Sequence, residues 1–274
     1  MDIFIKNPPA SGANFSENTY QSILKYADFI NRHADMVAPF GSFRESVSAE
    51  TGTNIKNDRT IYPMLRYLGF IIYKKGEDLC YRDFFTATGK ALVKFISLRR
   101  ELLILEKQTD KEKLQKINQA MIKAEDAISD LIFYGLKYLF KSFDDKEVSY
   151  RRYLIYLIRF MLLYKSINKA EYAFLIYSID NGNVFSQEFE KKINLYRTGE
   201  LEINYKVDAY DKKRGGNIRR KASAGNLTAY GYQMNLLKSA GIVIKPENEE
   251  RFYLNEKNID QIHDLLEQVR QDAR

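Results

Sequence analysis

Cysteine, histidine and tryptophan are almost missing from this chain. Its 274 residues hold one Cys (Cys80), two His (His33 and His263) and no Trp. A single cysteine excludes a disulfide framework, a CxxC pair and a Cys/His zinc cluster. With so few histidines, set far apart in sequence, a His–Asn–His nuclease, a His-rich metal site or a His-dependent triad would need almost every imidazole present. Cys80 falls on a predicted strand and reads as a packed thiol rather than a nucleophile. His33 at a helix end and His263 on an amphipathic helix read as structural or exposed groups. There is no GxxxxGK[ST] phosphate loop, and Gly215-Gly216 is too short for a dinucleotide fingerprint. No apolar run reaches the length of a membrane span, and Met1 to Pro9 lacks a signal-peptide profile, so a cytoplasmic chain with no membrane partner is expected.

The remaining composition is that of a folded chain. Apolar residues make up 45% and charged residues 29%, and the length suits one large or two modest domains. The 43 basic residues exceed the 36 acidic ones by 7. That excess is concentrated. Lys206, Lys212, Lys213, Arg214, Arg219, Arg220 and Lys221 are opposed only by Asp208 and Asp211, seven minus two, or +5 of the total +7. Gly215, Gly216 and Gly225 lie in or beside the same stretch. The pattern predicts a flexible basic loop over 206–221, which is either a solvated surface loop or one able to follow a phosphate backbone.

Apolar spacing predicts a mainly α chain with small β-hairpins. A first helix over 18–33 carries Tyr20, Ile23, Leu24, Ala27 and Ile30 on one face, and Pro39, Gly41 and Ser42 break it. A short helix over 43–50 ends at Gly52. A third, over 59–68, takes Asn57 or Asp58 as its cap and closes at Gly69, with Pro63 tolerable only near its first turn. Residues 70–73 and 79–85 read as a hairpin, followed by a helix capped by Thr86 or Thr88. The charged stretch 99–143 reads as a helical hairpin broken near Thr109-Asp110. Buried or amphipathic helices are expected over 150–165, 169–178 and 186–197, and the basic loop comes next. Helix 227–240, a strand over 242–245, a turn at 246–250, a strand over 251–254 and helix 259–269 complete the chain.

Two segments share a plan. Tyr62 to Ile72 and Tyr232 to Ile244 each place a helix, a closing glycine and an immediate hydrophobic strand, then a turn, a strand and a helix. Glycine at the residue after a helix suits a left-handed stop and leaves a tight helix–strand corner. The order predicts two winged-helix (helix-turn-helix) modules joined by a helical linker. Their boundaries are 1–98 for the first module, 99–146 for the linker and 147–274 for the second module.

At these segments the chain resembles the DNA-recognition portion of the AlwI-like Type IIS restriction and nicking endonucleases. The run Asp58-Arg59-Thr60-Ile61-Tyr62-Pro63-Met64 to Gly69-Phe70, with Thr86-Ala87-Thr88-Gly89-Lys90-Ala91-Leu92 after the hairpin, is similar to that family's first recognition module. Ile167 to Phe174, and Arg219-Arg220-Lys221 to Leu254, are similar to its second. The resemblance implies an asymmetric DNA site and a restriction-modification setting. In that family a nuclease domain follows the recognition domains, and Arg274 falls about where it would begin. The resemblance therefore implies that catalysis and its Mg²⁺ belong to an associated domain or partner chain, with no cofactor on this one.

A restriction-type nuclease needs clustered carboxylates and a lysine, commonly Asp…(Asp/Glu)-x-Lys. Asp144-Asp145-Lys146, Glu190-Lys191-Lys192 and Asp211-Lys212-Lys213 fit the short half of this pattern, about as many as chance supplies in so charged a chain. Asp180, Glu190 and Lys192 form the best set, but Glu190 sits on a predicted helix. Asp144 and Asp145 read as a loop and cap. No catalytic residue is therefore assigned.

The expected activity is sequence-specific binding of double-stranded DNA through major-groove recognition helices. In the first module Asn54, Lys56, Asn57 and Arg59 stand at the start of the recognition helix, and Arg66 lies further along it. Capping or solvent exposure is the competing role for each, and the better one for Asn57. In the second module Arg219, Arg220, Lys221, Asn226, Tyr230 and Gln233 take the matching place, with Lys212, Lys213, Arg214 and Asn217 on the loop. Tyr62, Tyr230 and Tyr232 are the tyrosines placed to bond phosphates. Two rivals stand beside this reading. One is a winged-helix adaptor that binds protein through the charged helices over 99–132. The other is a DNA-binding regulator or replication protein with no link to restriction.

Overall fold

A computed structural model describes residues 1–8, 14–53, 55–74, 76–108, 111–141, 145–208 and 227–271, the backbone alone at 55–60, 111–112, 145–149, 208 and 268–271. The described chain is mainly helical with small sheets. It divides into two compact units. One comprises Met1–Ala10, Phe143–Lys238 and Ile242–Arg274; the other comprises Ser11–Ser142 with Ser239–Gly241. No helix among the described residues is long and apolar enough to cross a membrane.

The unit built on Ser11–Ser142 begins with α1 (Glu17–Arg32), β2 (Val37–Pro39), α2 (Phe40–Thr51) and α3 (Ile55–Tyr67). It continues with β3 (Asp78–Cys80), α4 (Ala87–Glu106) and α5 (Lys111–Phe140). Its core is aromatic: Tyr26, Phe29, Phe43, Tyr62, Tyr81 and Phe84 are all buried. The expected break at Pro39, Gly41 and Ser42 is instead the start of α2, with Pro39 in the N-cap position. First-turn N–H groups have no intrahelical partner, so glycine there costs little structure. Helix α3 starts earlier than the spacing predicts. Asn57 and Asp58 thus fall inside its first turn, and Pro63 lies in its interior, where the fold tolerates a missing backbone donor.

The expected hairpin is reorganised. Residues 70–73 meet 79–85 only through the bridge Ile71↔Phe85, closed by the Ile72 N–H on Phe84 O at 2.9 Å. Strand β3 pairs antiparallel with β2, Val37 opposite Cys80 and Pro39 opposite Asp78. Thr86 is the cap of α4, its hydroxyl accepting from the Gly89 N–H at 3.0 Å. Helix α4 then runs unbroken to Glu106, so the module boundary expected at 98/99 falls inside a helix and the helical hairpin belongs to this unit.

The other unit contains β1 (Asp2–Lys6), α6 (Asp145–Tyr164), β4 (Ser166–Ile167), α7 (Lys169–Asp180) and α8 (Gln187–Arg197). It continues with β5 (Asn204–Asp208), α9 (Thr228–Ser239), β6 (Val243–Ile244), β7 (Phe252–Leu254) and α10 (Ile259–Gln271). Strands β4, β7 and β6 form an antiparallel sheet with β7 in the centre. Strands β1 and β5 pair parallel, Asp2 opposite Asn204 through Lys6 opposite Asp208. Residues 206–208, expected in the basic loop, are therefore strand. The reason is period-2 burial: Ile3, Ile5, Ile203 and Val207 face inward. Helix α7 is buried on nearly every side, and Phe174 stacks on Phe189 of α8 with ring centroids 5.1 Å apart.

The helix and its closing glycine recur at both segments, but a strand follows directly only at the second, as β6; after Gly69 there is the single bridge at Ile71. Gly69 and Gly241 have φ of +70° and +69°. The Phe70 N–H reaches Leu65 O at 2.8 Å, and the Ile242 N–H reaches Leu237 O at 2.9 Å. These are the same long-reach bonds of a Schellman stop. In each copy the strand that follows the turn also pairs with a short strand lying just before an earlier helix, β3 with β2 and β7 with β4.

Candidate nucleic-acid interface

Most of the residues predicted to meet DNA lie outside the described residues. Asn54, Lys212, Lys213, Arg214, Asn217, Arg219, Arg220, Lys221 and Asn226 are all in this group, and the side chains of Lys56, Asn57 and Arg59 lie outside it as well. Arg66 is described. It sits on the last turn of α3, and its guanidinium stands 5.7 Å from the ring centre of Tyr73. Tyr73 stacks on Phe40 at 3.8 Å with the rings 10° from parallel. Arg44 of α2 reaches the same aromatic group, 5.8 Å from the Phe40 ring and 5.5 Å from the Tyr62 ring. Burial pushes the Tyr73 hydroxyl pKa up, and the guanidiniums of Arg66 and Arg44 pull it part of the way back. Two arginines thus converge on one stacked aromatic pair, an arrangement held by cation–π attraction. Arg44, Phe40 and Tyr73 were not singled out from the sequence, because no spacing rule joins a residue of α2 to one beyond α3.

Two residues assigned to the second recognition helix are core groups. Gln233 is fully buried, and its side-chain oxygen accepts from the Tyr172 hydroxyl at 2.8 Å. Tyr230 is also buried, its hydroxyl donating to Ile167 O at 3.4 Å. Burial, and next the Glu171 carboxylate, raise the Tyr230 pKa well above the usual tyrosine value. Both side chains therefore join α9 to α7 and β4 instead of facing solvent, which corrects their placement at a DNA face. Tyr62 is buried too, whereas Tyr232 is half-buried. The reason is the fit of α9 against α7: Tyr172 takes Gln233 as its hydrogen-bond partner and packs on Tyr230, while Thr228 and Lys238 of α9 stay exposed.

The acidic set does not converge. Asp180 accepts from the Tyr153 hydroxyl at 2.7 Å. Lys192 pairs with Glu188 one turn away at 2.6 Å, and this draws the Glu188 pKa down. Glu190 is exposed on α8. Among the described residues no group of three His, Cys, Asp or Glu side chains could hold a metal ion. Asp145 opens α6, and Asp144 lies outside the described residues. Cys80 is half-buried on β3, and His33 has Nε2 2.8 Å from Glu50 Oε2.

One polar cluster escaped the sequence reading. Glu171, in the first turn of α7, is fully buried. Its Oε1 accepts from Arg197 Nε and its Oε2 from Arg251 Nη2, each at 2.6 Å. It also completes a capping box: the Asn168 N–H donates to Glu171 Oε2, and the Glu171 N–H donates to Asn168 Oδ1, both at 2.9 Å. Asn168-Lys169-Ala170-Glu171 is a legible capping signature, but the arginines come from α8 and from the residue before β7, far along the chain. No known protein family, characterised protein or solved structure matches the chain.

Proposed function

We propose that this chain binds double-stranded DNA sequence-specifically, as the recognition part of a Type IIS-like restriction or nicking endonuclease, with catalysis on another domain or a partner chain. The observation that carries the reading is the repeated unit. A helix stops at a left-handed glycine with the same backbone bond in both copies, and an extended segment follows at once, a single bridge at Ile71 in the first and β6 in the second. The strand beyond the turn pairs with a short strand set before an earlier helix. Such connectivity suits a winged helix, a frame that sets a helix into a major groove and a turn beside the backbone. The Arg44–Arg66 cluster and the basic sequence over 206–221 supply the positive charge such a frame needs. Fold alone does not fix function, so the test is direct. The purified chain is mixed with randomised duplex DNA at moderate salt, and the retained fraction is sequenced. A short asymmetric motif is expected. A palindromic motif would favour a dimeric regulator, and no retention would remove the DNA reading.

A second reading rests on the α4–α5 hairpin. Leu98, Ile104, Leu105 and Ile122 are exposed along it. Apolar side chains left open on charged helices suit a protein-docking surface. A partner that binds the chain equally well after alanine replacement at Leu98 and Leu105 would remove this reading.

A further inference from the structure

We infer that the open pocket beside Glu171 is a binding site for a single phosphate group. The pocket measures about 680 Å³ and is lined by Asn168, Tyr196, Arg197, Gly199, Leu201, Glu202 and Arg251. Its size is that of a small-molecule site. One carboxylate, Glu171, is shared by two arginines, so the cluster carries a net charge of +1, two minus one. One guanidinium would neutralise that acid. The second shares the pocket wall with Glu202, so what the wall offers an anion is its unused guanidinium donors rather than a net positive charge.

The wall is also rigid. Arg197 is tied further by Nη1 to Tyr164 O at 2.9 Å and by Nη2 to Ser166 O at 2.7 Å. Arg251 Nε reaches Ser166 Oγ at 3.3 Å. Each guanidinium carries more N–H groups than these bonds use, so both keep donors for a ligand. Asn168 Nδ2 donates to the Tyr196 hydroxyl at 2.9 Å, which leaves that hydroxyl its own proton to give. Spare donors on Arg197, Arg251 and Tyr196 around one pocket suit the several oxygens of a phosphate, and Leu201 lines the same pocket. Glu202, the one acid lining the pocket among the described residues, favours a singly charged phosphate, such as a diester, over a doubly charged one. This inference stands whether or not the chain binds DNA.

The test is a titration of the full chain with inorganic phosphate, followed by amide chemical shifts at constant ionic strength set with chloride. Saturable shifts at Gly199, Leu201 and Arg251 are expected. Arg251→Gln should weaken them by about tenfold or more, as expected for loss of a charge-assisted donor. Tyr196→Phe, which leaves the ion pairs intact, should weaken them by about threefold. Shifts that never saturate, or that Arg251→Gln and Tyr196→Phe leave unchanged, would overturn the site. Repeating the titration on DNA-saturated protein identifies the source. If duplex DNA moves the same amides and blocks phosphate, the group is a backbone phosphate; if phosphate still binds, it comes from a free phosphate ester. A chain that binds no DNA but still saturates with phosphate refutes the DNA reading and keeps this one.

Discussion

Replacing Gly89 with alanine should destabilise the Ser11–Ser142 unit severely, although the same change in most helices is favourable. Gly89 is buried in the first turn of α4. A Cβ there would lie 1.9 Å from the carbonyl oxygen of Phe70 and 2.9 Å from its carbon. A comfortable carbon–oxygen contact is about 3.3 Å, so the backbones must part by more than about 1 Å. Neither side is a flexible side chain. Thr86 holds the same corner, its N–H on Phe70 O at 3.0 Å and its hydroxyl on Gly69 O at 2.8 Å. Overpacking costs about 1–3 kcal/mol, and each hydrogen bond lost adds about 1 kcal/mol. The helix propensity of alanine returns less than about 1 kcal/mol. The expected net loss is about 3 kcal/mol, which lowers Tm by about 10 °C for a domain of this size. Circular dichroism melting of Gly89→Ala against Gly231→Ala provides the assay. Gly231 lies in α9, and a methyl group added to it would meet nothing within 4 Å, so its variant should be neutral or slightly more stable. A Gly89→Ala melt within about 2 °C of the parent would refute the reasoning.

Other changes carry their own signs. Glu171→Gln strips the buried charge from two arginines and should cost about 3 kcal/mol in urea denaturation; a loss under about 1 kcal/mol would show that the pairing contributes little. Stability should fall at high pH. Tyr20 and Tyr153 are pushed up to about 12, chiefly by burial. The unfolded chain therefore releases these protons first, and stability present below about pH 10 is lost as pH rises toward 12. A urea midpoint that stays flat from about pH 9 to 11.5 while tyrosinate absorbance rises would contradict this. On DNA, Arg219→Ala or Arg220→Ala should weaken binding by roughly 1–3 kcal/mol at one base position if the residue reads a base. If it touches only phosphate, the loss should be uniform across sequences with a shallower salt dependence, and unchanged binding in both variants would take the loop out of the interface.

Local signals were legible and distant pairings were not. The spacing of apolar residues placed α1, α7, α8, α9 and α10 close to where they lie, and Gly69 and Gly241 were read as left-handed stops. Thr86, one of the two caps expected for α4, is likewise a contact within a few residues. What the sequence concealed depends on residues brought together from far apart. Val37–Pro39 has no strand-like alternation, and it becomes a strand only because Asp78–Cys80 lies beside it. Met1–Lys6 alternates weakly, and its partner is some two hundred positions away. The burial of Gln233 and Tyr230 follows from the fit of α9 against α7, which no periodicity encodes. The polar cluster around Glu171 joins three separate elements: its capping box is local and open to a sequence rule, but its arginines are not.

The β1–β5 pairing gives the chain a history as well as a shape. Asp2–Lys6 leaves the ribosome well before its partner Asn204–Asp208, which follows only after the whole of Ser11–Ser142 has been made. Most of that unit can therefore fold during synthesis, before Ser239–Gly241 joins it, while the earlier strand waits for its mate. Closing so long a loop is a late step that slows assembly more than it weakens the product. An expression fragment begun near residue 143 would leave β5 with an open edge, a template for aggregation. Such a fragment should become soluble when a peptide carrying Met1–Lys6 is supplied alongside it.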